Sequence, residues 1–272
     1  MEAPQRNWFQ KVAHLARLYA VYLKLYFRTL AEFRADTWIT LLTGLITQIG
    51  SLAFIGVLFQ RIPKLAGWSF YELLFIFAFS VTAKGLAEVF LNASFGINGF
   101  IRRGLLDIFL VRPVGPLFQA IGVCQEMNGM GPALTGLIIM GYAAAKLHLA
   151  WTVWSVAFAL TGLVSGMLIY FCMLMFTAIS AFWIVEVRNL IFPLAWFFEF
   201  TRYPLEIFHP VVRVILVGVI PYAMGSFYPA AHLLRPAEYP WVAWLTPLFT
   251  IGLCQLMYWA WTMGLKRYSS AV

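Results

Sequence analysis

The sequence predicts an all-α integral membrane protein with six transmembrane helices. Three observations carry this. Apolar residues make up 62% of the 272-residue chain and charged residues 11%, where a soluble domain carries about 45–50% and about 25%. Mean hydropathy is +0.81. The charges fall between apolar runs long enough to cross a hydrocarbon layer of about 30 Å, which takes about 20 helical residues. A soluble enzyme, a disordered chain, a disulfide scaffold and a nucleic-acid-binding domain all fit poorly. The net charge of +8 follows membrane topology, so no nucleic-acid partner is expected.

Residues 1–36 form the N-terminal element. Met1–Asn7 lacks an apolar stretch ending in a cleavage site, so no removed signal peptide is expected. Trp8, Val12, Leu15, Tyr19, Tyr22, Tyr26, Leu30 and Phe33 form one stripe at 100° per residue, with His14, Arg17, Lys24 and Arg28 opposite. This is a basic amphipathic helix. It either lies on the membrane, with its cations on lipid headgroups, or packs on a cytoplasmic partner; both hold if the partner touches the polar face.

The six-span domain occupies 37–272. The first span runs from Thr37 to Phe59 and the second from Ser69 to Leu91, the latter containing Glu72, Lys84 and Glu88. A polar loop, 92–116, follows. The third span, Leu117–Ala145, holds Glu126 and is loosened by Gly129, Gly131 and Pro132. Residues 150–185 carry no charge, and at about 54 Å of helix the fourth span must tilt, kink or protrude. The fifth begins near Leu190 and fades by Tyr203. The sixth runs from Trp241 to Gly264.

Between them, residues 204–235 are broken by Pro204, Pro210, Pro221 and Pro229. Were 211–231 a full span, the two basic termini would lie on opposite sides. A re-entrant hairpin entering and leaving on the extracytoplasmic face removes the conflict, and such backbone needs protein or water around it. With N-terminus and C-terminus inside, twelve of the 19 Lys and Arg residues lie inside and six outside, with Lys84 in the membrane. That bias is the expected one.

Catalytic signatures are absent from the sequence. No lysine is followed by Ser or Thr, so there is no phosphate loop, and no GxSxG or HExxH occurs. The chain is expected to be no enzyme by itself, with no cofactor and no metal. His14, His148, His209 and His232 read as interfacial side chains, and Cys124, Cys172 and Cys254 as small core residues. Trp38, Trp68, Trp151, Trp154, Trp241 and Trp244 sit near span ends, as an interfacial belt requires. Phe192, Trp196, Phe197, Phe198 and Phe200 cluster on the fifth span, where they face lipid or line a path.

The loop 92–116 keeps helical spacing at Ile101, Leu105, Leu106, Phe109 and Leu110, yet is too short and charged to cross. Arg112–Pro113 ends it, because proline disfavours helix in the residue before it. Without any resemblance it reads as a membrane-surface loop or a handle for a soluble partner.

Gly104, Leu106, Asp107, Leu110, Arg112 and Pro113 match a pattern Gly-x-Leu-Asp-x-x-Leu-x-Arg-Pro. It resembles the first cytoplasmic loop of ABC-2-type transporter permeases, in the branch of about 260–270 residues. Arg202-Tyr-Pro-Leu, followed by Pro221 and Pro229, resembles a second pattern of that family, and the likeness covers nearly the whole chain. The resemblance implies the permease subunit of an ATP-driven exporter of a lipid, glycolipid or drug-like amphiphile in a bacterial inner (cytoplasmic) membrane. It implies a second permease chain, identical or a sibling, and separate ABC ATPase subunits that hold the ATP and Mg. On this reading Asn98–Arg112 is a coupling helix, with Arg102, Arg103, Gly104, Leu106, Asp107, Arg112 and Pro113 as coupling residues. A membrane scaffold that recruits a soluble partner without transport is the rival from a different class.

Ionisable residues within a span are functional candidates, because each is costly unless paired or hydrated. Lys84 and Glu88 are i, i+4 in the inner half of the second span, and Glu126 reaches a similar depth in the third. Lys84 has Glu126 or Glu88 as a partner, or else snorkels. Glu199, Arg202 and Glu206 are expected together at the outer end of the fifth span, as a gate or in the aqueous interface.

Overall fold

The computed structural model describes residues 8–125, 127–184 and 188–268. Among them every regular element is helical, apart from an isolated bridge between Leu65 and Trp68. Four helices are long and apolar enough to cross a membrane: α2 (Arg34–Arg61), α3 (Phe70–Phe90), α8 (Val153–Ile179, extended as a 3-10 turn to Phe182) and the last helix, α13 (Val242–Arg267).

The N-terminal stripe folds as α1 (Trp8–Glu32). It is docked by its aromatic face, while Lys24 and Arg28 stay exposed. The Tyr19 hydroxyl donates to the Phe90 carbonyl at 2.7 Å. The Tyr22 ring lies so close to Gly122 that a Cβ there would collide with it.

α3 is the central post. Its first turn is closed by Glu72, whose Oε2 accepts from the Ser69 amide at 2.8 Å and from the Ser69 hydroxyl at 2.8 Å. This satisfies amides that a helix start leaves open. It packs on α7 (Met130–Lys146) through small residues: any side chain on Gly85 or Gly136 would meet the opposite backbone. Where lipid replaces water, close packing of small residues is a main source of helix association. Phe75, Phe77 and Phe79 on α3 are fully buried.

Two predicted spans are interrupted. The third gives α6 (Pro116–Val123), a 3-10 turn at Met127–Gly129 and then α7. Pro116 starts α6 at a position where its missing N–H costs nothing. The fifth is α9 (Arg188–Phe197), which tightens into a 3-10 turn at Phe198–Arg202. At 1.5 and 2.0 Å per residue these fifteen residues reach about 25 Å. The uncharged fourth run instead gives the unbroken α8, opened by Thr152, whose Oγ1 accepts from the Ser155 amide at 3.1 Å.

Residues 204–235 go down into the molecule and come back. α10 (Pro210–Val214) runs into a π-turn at Ile215–Val219, Pro221 breaks it, and α11 (Tyr222–Gly225) and α12 (Phe227–Leu234) return. Both ends of the segment meet at Trp68: Glu206 accepts from its indole N–H at 3.3 Å and the Arg235 guanidinium stacks 3.8 Å from its ring. The tip is pressed on α8, where a Cβ on Gly166 would strike the Gly225 carbonyl.

Candidate functional site

Two groups of polar residues carry the functional argument, one at the end of the molecule where α1 lies and one inside it.

The loop between α3 and α6 folds as two short helices, α4 (Ser94–Arg102) and α5 (Asp107–Leu110). A single helix over Asn98–Arg112, as expected, is not what forms. Gly104 takes φ +67°, in the left-handed region that favours glycine, and it ends α4 one turn after Gly99. The loop is anchored from beneath. Leu106 is fully buried and Phe109 is 3% exposed, in a cluster with Ile97, Phe171, Met175 and Trp261. Gln119 on α6 donates to the Phe109 carbonyl at 2.9 Å and the Val114 carbonyl at 2.6 Å. Leu106 therefore points into its own chain, beneath the turn at Gly104, and lies at the base of the loop and not on its outer face.

What remains outward includes Arg102, Arg103, Leu105, Ile108, Leu110, Val111, Arg112 and Pro113, with Val111 83% exposed. This is an apolar strip flanked by guanidinium groups. Asp107 is half-buried beside Tyr268, which follows α13. Burial first, and then the Asp107 carboxylate, push the Tyr268 phenol above its ordinary pKa. Loop, α6 and the end of α13 thus form one packed unit. Gln119 was not singled out from the sequence; a lone amide in the apolar run 117–123 was the available signal.

The second group lies in the last third of α3. Lys84 Nζ is 2.7 Å from Glu199 Oε1 and 3.9 Å from Glu88 Oε1. Arg202 is 2.6 Å from the other Glu199 oxygen. Tyr170 on α8 donates to Glu88 at 3.2 Å. Two cations and two carboxylates balance, as a low-dielectric site requires. The guanidinium of Arg202 also lies 5.4 Å from the Phe77 ring centre. Tyr222, from the hairpin tip, stacks 5.1 Å from Phe198 and 5.9 Å from Tyr170. Its buried hydroxyl makes no hydrogen bond.

This regroups the charges. Glu199 and Arg202 were expected at the outer end of their span with Glu206, apart from Lys84. Instead Glu199 pairs with Lys84, Thr201 accepts from Ser80 at 2.9 Å, Arg202 covers Phe77, and Glu206 reaches Trp68. These contacts step along α3 from residue 84 to 68. The 3-10 turn at Phe198–Arg202 and the extended backbone at Tyr203 carry the chain alongside α3 toward Trp68, which precedes it. Glu126 lies outside the described residues. Of the aromatic cluster, Phe198 turns fully inward while Trp196 stays exposed.

Glu206 belongs to a third network at the hairpin end. Tyr239 donates to it at 3.0 Å, and Arg235 pairs with Glu72 at 3.0 Å and donates to the Gly67 carbonyl at 2.9 Å. Burial, and next the Glu206 carboxylate, raise the Tyr239 phenol above its usual pKa. The network ties the start of α3 to both ends of the hairpin.

The two groups are thus an apolar strip flanked by guanidinium groups on the outside of a well-anchored loop, and a neutralised charge group between α3, α8 and the 3-10 turn after α9. No curated protein and no solved structure is significantly similar to the chain. The family model described as ABC-2 family transporter protein matches residues 45–272, so the chain belongs to the ABC-2 transporter family and is a membrane component of a transporter.

Proposed function

We propose that the chain is the permease half of an ATP-driven exporter of an amphiphilic molecule, such as a lipid, glycolipid or drug-like compound. Two permease chains, identical or siblings, form the pathway, and separate ABC ATPase subunits hold ATP and Mg. The spans are α2, α3, α6 with α7, α8, α9 with its 3-10 turn, and α13. Residues 204–235 enter and leave on the extracytoplasmic side. The meeting of Glu206 and Arg235 at Trp68 supports that hairpin. Both termini are cytoplasmic, in a bacterial inner membrane.

The observation that carries the reading is the α4–α5 loop: anchored by Leu106 and Phe109 and outward-facing at Arg102, Arg103, Ile108, Val111 and Arg112. Guanidinium groups around an apolar strip match a partner groove with acidic and apolar lining. A push on the strip passes through Phe109 and Gln119 to α6, and through α4 to α3, which carries Lys84 and Glu88. Glu199 and Arg202 then link α3 to the fifth span. The charge group is the element that re-pairs when the pathway changes its access, since Lys84 has a carboxylate on each side.

Co-purification tests the assembly. The tagged chain, extracted in mild detergent, should bring down an ATPase subunit. Isolation of the chain alone from native membranes, at full yield, would favour the non-transporting scaffold.

A further inference from the structure

α8 and α13 pack tightly at the α1 end and part at the other. Near their middle the Cys172 and Cys254 sulfurs are 3.5 Å apart. Further toward the α1 end, Phe182 stacks 5.7 Å from Trp261 and fills the space over Gly264. Toward the hairpin end the helices separate, and between them lies a cavity of about 600 Å³. Its volume is that of a small-molecule site. Trp154, Phe158 and Thr161 of α8 form one wall, Trp244 of α13 the other, and His232 and Leu233 of the hairpin arm α12 the floor.

Three features define what fits. Among the described residues no Asp, Glu, Lys or Arg lines the cavity, so the occupant is held by apolar contact. Its mouth is continuous with the outward faces of both helices: Trp154 is 85% exposed, Trp244 78%, and Leu160, Leu248 and Ile251 beyond them are also exposed. In a spanning bundle that surface meets hydrocarbon, not water. Finally, among the described residues a single titratable side chain, His232, lines the cavity, at its floor. Its Nδ1 is 2.8 Å from the Tyr239 carbonyl. A carbonyl only accepts, so Nδ1 carries the hydrogen and the neutral ring keeps Nε2 as an acceptor. Its ring packs 4.6 Å from Phe158.

We infer that this cavity is a binding site for one acyl chain of a bilayer phospholipid, taken from the leaflet at the hairpin end. Trp154 and Trp244 flank the chain at the depth where indoles anchor in the interface. The seated chain replaces the helix–helix contact that α8 and α13 lack there, and it braces α12 and so the hairpin. The site is separate from the Lys84 group, which lies across α8 at Tyr170. It rests on the membrane reading above and not on the direction or substrate of transport.

The test uses the full chain in nanodiscs of phosphatidylethanolamine and phosphatidylglycerol, doped with a phosphatidylethanolamine carrying a photoactivatable diazirine on one acyl chain. After illumination, peptide mass spectrometry should find label at 154–161 and 232–236 severalfold above that on the exposed α2 face around Ile46 and Ile49. Ala157→Trp and Thr161→Trp fill the cavity from exposed positions; each should abolish the excess in the groove and leave the α2 labelling unchanged. Equal labelling of groove and α2 face in the native chain, or an excess in the groove that survives filling, means annular contact only and overturns the inference while leaving the membrane reading intact. A groove that excludes the phospholipid, whether empty or filled by another molecule, also overturns it. Absence of label from every helix would remove the membrane reading itself.

Discussion

At the scale of single residues, charge and burial decide which side chains bear weight. Glu199 bridges Lys84 and Arg202, so Glu199→Gln leaves two cations facing one remaining carboxylate, Glu88. Removing one partner of a fully buried pair costs about 3–5 kcal/mol. Because 36% of the Glu199 side chain is exposed, the expected loss is smaller, about 1–3 kcal/mol. Thermal unfolding in detergent reads it, and Lys84→Met combined with Glu199→Gln should lose less than the two single losses added together, because each single change already removes the shared contact. If the single change is silent and the two losses simply add, the two residues do not act as a pair. Glu238→Ala, by contrast, removes only an exposed contact at 3.7 Å from Arg235 and should be near neutral. Residue type alone marked Lys84, Glu88, Glu199 and Arg202 as candidates. Their pairing was not legible, because it joins positions 115 apart and depends on where a helix tightens after Phe197. Leu106 shows the converse: a motif residue whose match says nothing of which way it faces. Leu106→Ala should cost about 2–5 kcal/mol as a buried cavity, whereas Val111→Ser should leave unfolding unchanged and lower ATPase stimulation.

At the scale of elements, apolar runs and their breaks were largely readable. The expected span Ser69–Leu91 is α3 at Phe70–Phe90, and Thr37–Phe59 lies within α2, because charges at the run ends fix where a helix leaves the hydrocarbon. Prolines placed the breaks in 204–235 for a backbone reason: they lack the donor a continuing helix needs. The loop 92–116 was legible as helical but not as two helices, since a glycine's φ is decided by the packing on either side of it. Gly104→Ala forces a Cβ into a left-handed position, which costs about 1–2 kcal/mol. Melting should show that loss, and the variant should couple poorly, because the tilt of α5 against α4 sets the angle of the outward strip. At the hairpin tip, Gly166→Val meets the Gly225 backbone and should expose the hairpin to protease. A protease pattern unchanged from the native chain would mean that the tip does not need this close approach.

At the scale of the whole molecule, α3 and α8 form the buried centre while α2 and α13 expose long apolar faces. Such faces are at home only against lipid or another chain. The charge bias sets orientation: cysteines introduced near Ala66 and Glu238, in a background lacking the native thiols, should label from outside in right-side-out vesicles, and those near Arg103 and Lys266 should not. Outside labelling at 266 would break the six-span arrangement, because an odd number of crossings would then be needed. The central claim is that the outward strip of the α4–α5 loop receives the ATPase. A cysteine crosslink scan of the assembled complex tests it most directly. Positions 103, 108 and 111 should crosslink to the ATPase, while 106 and 109, which face the core, should not. Crosslinks confined to 186–189, with none at 103, 108 or 111, would contradict the account and assign transmission to the other cytoplasmic loop.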